Sequence, residues 1–144
     1  MVRLVFLVLI LIFTYANVLA SDITYGNIAN VIFIDNYDGD TFSVNIPSMH
    51  PIVGSNISIR INGIDTPEVK AKCYREQQLA LKAKEFLHTL LVNAKVISLQ
   101  NVKRDKYFRI LADVFVDGIA VSNIMLDNHL AVVYNGETKK NWCE

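Results

Sequence analysis

A mainly β domain with helices, an α+β fold built as a five-stranded Greek-key barrel of the OB type, is what the sequence predicts. Three observations lead there. Short β-rich or alternating runs occur at 31–34, 42–46, 57–62, 96–99 and 110–116. One long helical stretch interrupts them after the third run, and a shorter one follows the fifth. Five short strands with a helix inserted after the third are the order of a small closed barrel.

Arg3 near the start is followed by an unbroken apolar run from Leu4 to Phe13, then by a more polar stretch ending Val18-Leu19-Ala20. A basic start, a short apolar stretch and a small-residue exit read as a secretory leader, residues 1–20, cleaved near Ala20. The apolar run is short for a membrane span. An uncleaved anchor is the alternative, and only then is a membrane a partner. Residues 21–144 then form one domain, and the 144-residue chain is long enough for its own core. The 52% hydrophobic content owes part of its excess to the leader.

Residues 31–34 are β-rich. Asn36-Tyr37-Asp38-Gly39-Asp40 supplies an Asp-Gly turn before the alternating run 42–46, so the pair reads as a hairpin. Residues 47–54 read as a loop. In 57–62 the three isoleucines share one face, which puts Arg60 on the other. From 76 to 92, Leu79, Ala83, Phe86, Leu87 and Leu90 recur at helical spacing. Runs 96–99 and 110–116 are strands, and Asp117-Gly118 turns the chain. Ser122 is the expected N-cap of a short helix through Asn128. Residues 130–134 are apolar and pack back on the core.

Net charge is zero for the whole chain. Residues 1–20 hold one Arg and no acid, so the rest carries 13 basic and 14 acidic residues, about −1. That balance argues against a broad cationic face for tight nucleic-acid binding. A local phosphate contact is still allowed. Two cysteines, Cys73 and Cys143, follow the leader. An even count in an exported chain suggests one disulfide, which would close a loop of roughly 70 residues and contribute about 4 kcal/mol in the chain-entropy treatment. Two unrelated thiols are the alternative.

The chemistry concentrates in Arg60-Ile61-Asn62-Gly63-Ile64-Asp65-Thr66-Pro67-Glu68. Asp40 opens the second strand and Asp65 follows the third. If those strands are neighbours, the two carboxylates converge on a hard-cation site suited to Ca²⁺ or Mg²⁺. Pro67 biases Thr66 away from helix and turns its carbonyl toward such an ion. Asp38 and Asp40 read equally well as turn residues. Glu68 beside a metal-held phosphate would orient or deprotonate water; taken alone it is a solvated loop residue. Arg60 and Arg109 are bidentate phosphate clamps in waiting. The stretch 103–108 before Arg109 is either a solvated basic loop or, through Lys106 and Tyr107, a base-stacking platform. His50, His88 and His129 show no metal-ligand spacing, and no serine has a nucleophile-elbow context.

Asp38-Gly39-Asp40-Thr41, then Arg60 with Gly63-Ile64-Asp65-Thr66-Pro67-Glu68, then residues 105–112 resemble, in order, the staphylococcal-type thermonucleases. The resemblance runs from about Val31 to Tyr134. It implies an OB barrel that cleaves DNA and RNA with Ca²⁺; no protein partner is implied and a monomer is expected, while the leader points to a secreted or periplasmic setting. The resemblance further implies that Asp40, Asp65 and the Thr66 carbonyl hold the ion. Glu68 would serve as general base or water-positioning carboxylate, and Arg60 and Arg109 would hold the scissile phosphate. Loss of the 5′ oxygen would leave a 3′-phosphate end. Three features depart from the family. Phe108 replaces the Gly that precedes the second arginine, the segment after Glu68 is shorter and carries Cys73, and the tail ends Trp142-Cys143-Glu144 without a long final helix. Two other functions compete: a catalytically silent OB module that binds nucleic acid or protein, and a Mg²⁺ phosphodiesterase acting on small nucleotides.

Overall fold

Strands β1 (Ile32–Asn36), β2 (Thr41–Asn45) and β3 (Ile57–Ile61) run as an antiparallel meander in the computed structural model, which describes residues 23–144. The expected leader lies outside the described residues. The β1–β2 hairpin turns at Tyr37–Thr41 as expected, with the Tyr37 N–H donating to the Thr41 carbonyl at 2.9 Å. Within the anticipated loop after β2 there is one short turn of helix, α1 (Pro51–Gly54). Pro51 presets its first residue, and His50 Nδ1 accepts the Ile52 N–H at 3.3 Å.

A two-residue strand β4 (Ile64–Asp65) leads to the long helix α2 (Tyr74–Asn93). This helix starts two residues before the expected position because Cys73 caps it, its Sγ accepting the Glu76 N–H at 3.4 Å. Next come β5 (Ile97–Arg104), β6 (Ile110–Val116), the short β7 (Ile119–Ala120), α3 (Val121–Asp127) and β8 (Val132–Val133). Strand β5 runs five residues past the expected end at 99. Ser122 is not the N-cap of α3. Ala120 holds that place without a side-chain bond, because β7 feeds straight into the helix and the buried Val121 anchors its first turn.

The main sheet has the order β1-β2-β3-β6-β5, with β3 and β6 parallel and the other neighbours antiparallel. Residues 25–31 then join its two ends. Tyr25 donates to the Val102 carbonyl at 2.7 Å, Ile28 and Leu99 exchange bonds at 2.8 Å, and Val31 donates to the Ile97 carbonyl at 3.1 Å. The chain segment entering β1 is thus a strand-like neighbour of β5, which curls the sheet shut and protects its edge. This is the expected barrel.

Alternation fills the interior. Ile110, Ala112, Val114 and Val116 of β6 point in, with Phe42, Val44, Ile59, Ile61 and Leu99 around them. Helix α2 adds Ala83, Leu87 and Leu91 to the same cluster. The segment 130–134 packs back partly as expected. Ala131 is buried, β8 pairs with β4, and Val133 is exposed. Cys73 and Cys143 are joined in a disulfide with Cα atoms 6.0 Å apart.

Candidate active site

The β1–β2 turn divides its two aspartates between two tasks. Asp38 serves the turn: its Oδ1 accepts the N–H groups of Asp40 at 3.0 Å and Thr41 at 2.8 Å. Burial pushes the Asp38 carboxyl up, against the Thr41 N–H and the charges of Arg60, Arg109 and Lys139. Asp40 is released from turn duty. Only 2% exposed, it reaches across to the segment after β4, where Oδ2 accepts the Thr66 N–H at 3.1 Å and the Thr66 hydroxyl at 3.0 Å. The Thr41 hydroxyl donates to its Oδ1 at 3.0 Å. Gly39 makes this closeness possible. A Cβ there would stand 2.7 Å from the Ala83 Cβ on α2 and 3.0 Å from the Thr66 Cβ.

Arg60 lies on the face of β3 opposite Ile59 and Ile61, but not in solvent; its side chain is 12% exposed. Strand pairing sets Arg60 beside Thr41. Its Nη1 pairs with Asp40 Oδ1, and its Nη2 donates to Asp65 Oδ1 at 3.3 Å and to the Ile64 carbonyl at 3.1 Å. One guanidinium therefore bridges two buried carboxylates. Asp65, 1% exposed, is held by the β4–β8 pair opposite Val132.

Glu68 sits at the rim with its side chain about half exposed. Its Oε1 accepts a hydrogen bond from Lys139 Nζ at 2.6 Å, and the same ammonium lies 2.9 Å from Asp65 Oδ1. Burial works against the Lys139 charge, but its bonds to Glu68 and Asp65 outweigh that and raise its pKa. Arg109 enters from the start of β6. Its Nε and N–H donate to the two oxygens of Asp105 at 2.7 and 2.9 Å, and Nη1 reaches the Thr41 hydroxyl oxygen at 3.3 Å. Burial raises the Asp105 carboxyl, yet the Arg109 side chain and the N–H groups of Tyr107 and Arg109 bring it net below the ordinary range. Arg109, Thr41, Asp40, Arg60, Asp65, Lys139 and Glu68 thus form one continuous polar chain.

Lys106 and Tyr107 stand on its solvent side. Tyr107 is 67% exposed, its ring centroid 5.4 Å from the Arg109 guanidinium carbon and 5.1 Å from Lys106 Nζ. His88 is a half-exposed partner of Asn36 at 2.9 Å, away from this chain of contacts.

The donor set fits a hard divalent cation. Asp40 and Asp65 are buried and offer only oxygen, and with Glu68 they make three carboxylates facing two cations, Arg60 and Lys139. Among the described residues, the one cluster of three Asp, Glu, His or Cys ligand atoms within 4.8 Å is Cys73, Glu76 and Cys143. Its cysteines are spent in the disulfide, so it offers a single carboxylate. Glu68 is linked to Asp65 through the Lys139 ammonium they share.

A family model described as staphylococcal nuclease homologue matches residues 58–143. The chain belongs to the staphylococcal nuclease homologue family. The matched span holds Arg60, Asp65, Thr66, Glu68, Arg109 and Lys139, while Asp40 joins from outside it through the β2–β3 pairing. Among curated relatives, a probable endonuclease of Schizosaccharomyces pombe is 36% identical over 62% of this chain and 41% of its own length. An uncharacterized protein of Bacillus anthracis is 32% identical over 67% of this chain and 43% of its own length. The nuclease homologue described here spans about two fifths of the length of these relatives.

Sequence reasoning missed Lys139. It lies 71 positions from Glu68, in a tail with no periodic pattern. One signal pointed to it: pairing the two cysteines brings residue 143 beside residue 73, within a few residues of the acidic motif.

Proposed function

We propose that the chain is an exported, Ca²⁺-dependent endonuclease that hydrolyses phosphodiester bonds of DNA and RNA and leaves 3′-phosphate ends. The observation that carries this reading is the buried Asp40–Asp65 pair bridged by Arg60, with Glu68 and Arg109 on the same polar chain. Membership of the nuclease homologue family and the name of the S. pombe relative support the reaction class. The disulfide and the leader-like start support export.

Asp40, Asp65 and the Thr66 carbonyl would hold Ca²⁺, which when bound supplies Lewis-acid polarisation of a phosphate oxygen. The protein's own groups do the rest. Arg60 and Arg109 converge on the same carboxylate neighbourhood and present permanent charge to the equatorial oxygens as negative charge grows there. Lys139 occupies Glu68 Oε1, and Oε2 takes a proton from the attacking water. The water oxygen bonds to phosphorus, the P–O5′ bond breaks, and the 5′ oxygen gains a proton from solvent. Tyr107, exposed beside Arg109, stacks on a base next to the held phosphate.

The test is digestion of single-stranded DNA by the full chain with Ca²⁺, then with chelator. Cutting is expected to stop in chelator, and the new 3′ ends to need phosphatase treatment before a polymerase extends them. Glu68→Gln is expected to keep the wild-type melting curve and lose about 100-fold in rate. Undiminished cutting in chelator would remove the metal from the mechanism. Binding without cutting would favour a silent OB module instead.

A further inference from the structure

The C-terminal tail returns to the site it left. After β8 it has no regular element, yet it is fastened near its end. Cys143 is bonded to Cys73, the N-cap of α2. Trp142 is 7% exposed, with Lys140 Nζ 4.2 Å from its ring centroid. Between β8 and these anchors, Lys139 reaches Glu68 Oε1 at 2.6 Å and Asp65 Oδ1 at 2.9 Å. The Glu68 main chain is tied to the same anchor. Its N–H donates to Glu76 Oε1 at 3.1 Å, three residues past Cys73 on the first turn of α2. Glu68 is therefore gripped twice, by its side chain through Lys139 and by its backbone through Glu76, and both grips lead to one disulfide.

We propose that Lys139 is a positioning residue for Glu68, held in place by the Cys73–Cys143 disulfide. The proposal rests on the nuclease reading, in which Glu68 touches the attacking water. A half-exposed glutamate without a partner spreads over many rotamers, while in-line attack needs its oxygen within a fraction of an ångström of one place. An ammonium carries three donors on a point charge, so it takes Glu68 and Asp65 together and fixes the spacing between them. The tail itself lacks the hydrogen-bonded strand pairing that would hold a lysine at this rim. Its covalent tie at residue 143 supplies the hold, so reduction of the disulfide frees Lys139 and slackens Glu68.

The experiment compares the full chain with its Lys139→Met, Lys139→Arg and Cys143→Ser variants. It reads kcat and KM on single-stranded DNA with Ca²⁺, the emission of Trp142 (the chain's one tryptophan), and the amide resonance of Glu68 in metal-free protein. Lys139→Met is expected to lower kcat by about tenfold or more with KM within about twofold. Its Trp142 emission stays at the wild-type wavelength while its Glu68 resonance shifts and broadens. Lys139→Arg recovers the greater part of kcat. Reduced wild type and Cys143→Ser lose kcat likewise, now with red-shifted Trp142 emission. Wild-type kcat in Lys139→Met would overturn the proposal. So would a raised kcat, which would make Lys139 a competitor of the ion, and so would a Trp142 shift in that variant, which would make it a tail-docking residue. A wild type that does not cut refutes the nuclease reading itself, and the metal-free Glu68 resonance then decides separately whether Lys139 holds that side chain.

Discussion

Phe108 is the residue whose backbone and side chain agree least. Its φ is 63°, in the left-handed region, and its side chain is 80% exposed. The chain's other non-glycine residues described there are Asn30, Asn56, Asn101, Asp117 and His129, types that tolerate the region. Phe108 is bulky and gains little burial in return. The loop geometry imposes the conformation: the Phe108 N–H donates to the Asp105 carbonyl, while Asp105 grips the Arg109 backbone and guanidinium. Phe108→Gly is expected to stabilise the fold by about 1 kcal/mol, relief of left-handed strain outweighing the looser unfolded chain. A chemical denaturation curve at or below wild type would show that the backbone is not strained. Arg60 is the contrasting residue, legible at once from alternation. The sequence set it off the core face, and the carboxylates waiting there explain why an arginine is nonetheless 12% exposed.

Helix α2 and the β1–β2 turn meet with no spare room, and that contact sets the height of Asp40. Gly39→Ala would drive a methyl to 2.7 Å from the Ala83 Cβ, an atom too close to its backbone to swing away. The expected cost is about 1–3 kcal/mol of stability. Adding Ala83→Gly should return part of it, although glycine in a helix costs about 1 kcal/mol itself. Melting curves of the two single variants and the double variant check this, and strictly additive losses would mean that the contact is slack. Elements long enough to show a period were legible: β1, β2, β3, β6 and the body of α2. What escaped were β4, β7 and β8, since two residues cannot display alternation. The start of α3 escaped because packing of Val121, not a capping hydroxyl, decides it. The far end of β5 also escaped, being polar and defined by partners rather than by pattern. The short elements matter for the site. Asp65 owes its place to β4 and β8, so the motif was readable before the reason for its geometry.

At the scale of the molecule, near-neutral charge would, on the proposed nuclease reading, have phosphate drawn to the site by a few local cations rather than by a long-range field. Asp40, Arg60, Asp65 and Glu68 come before Cys73 in the chain. Arg109 and Lys139 come after it. The disulfide spans a separation of 70 residues, so everything from α2 to the tail lies on one covalent ring, including the exposed loop with Arg104 and Lys106. A protease that clips this loop opens the ring without parting the molecule. Limited trypsin digestion is expected to give a product that migrates as one species on a non-reducing gel and as two after reduction. Two species without reductant would place the first cut between residues 23 and 72 instead. The clipped chain would then stay in one piece, with Arg109 and Lys139 still tied covalently to the segment that carries Asp40, Asp65 and Glu68.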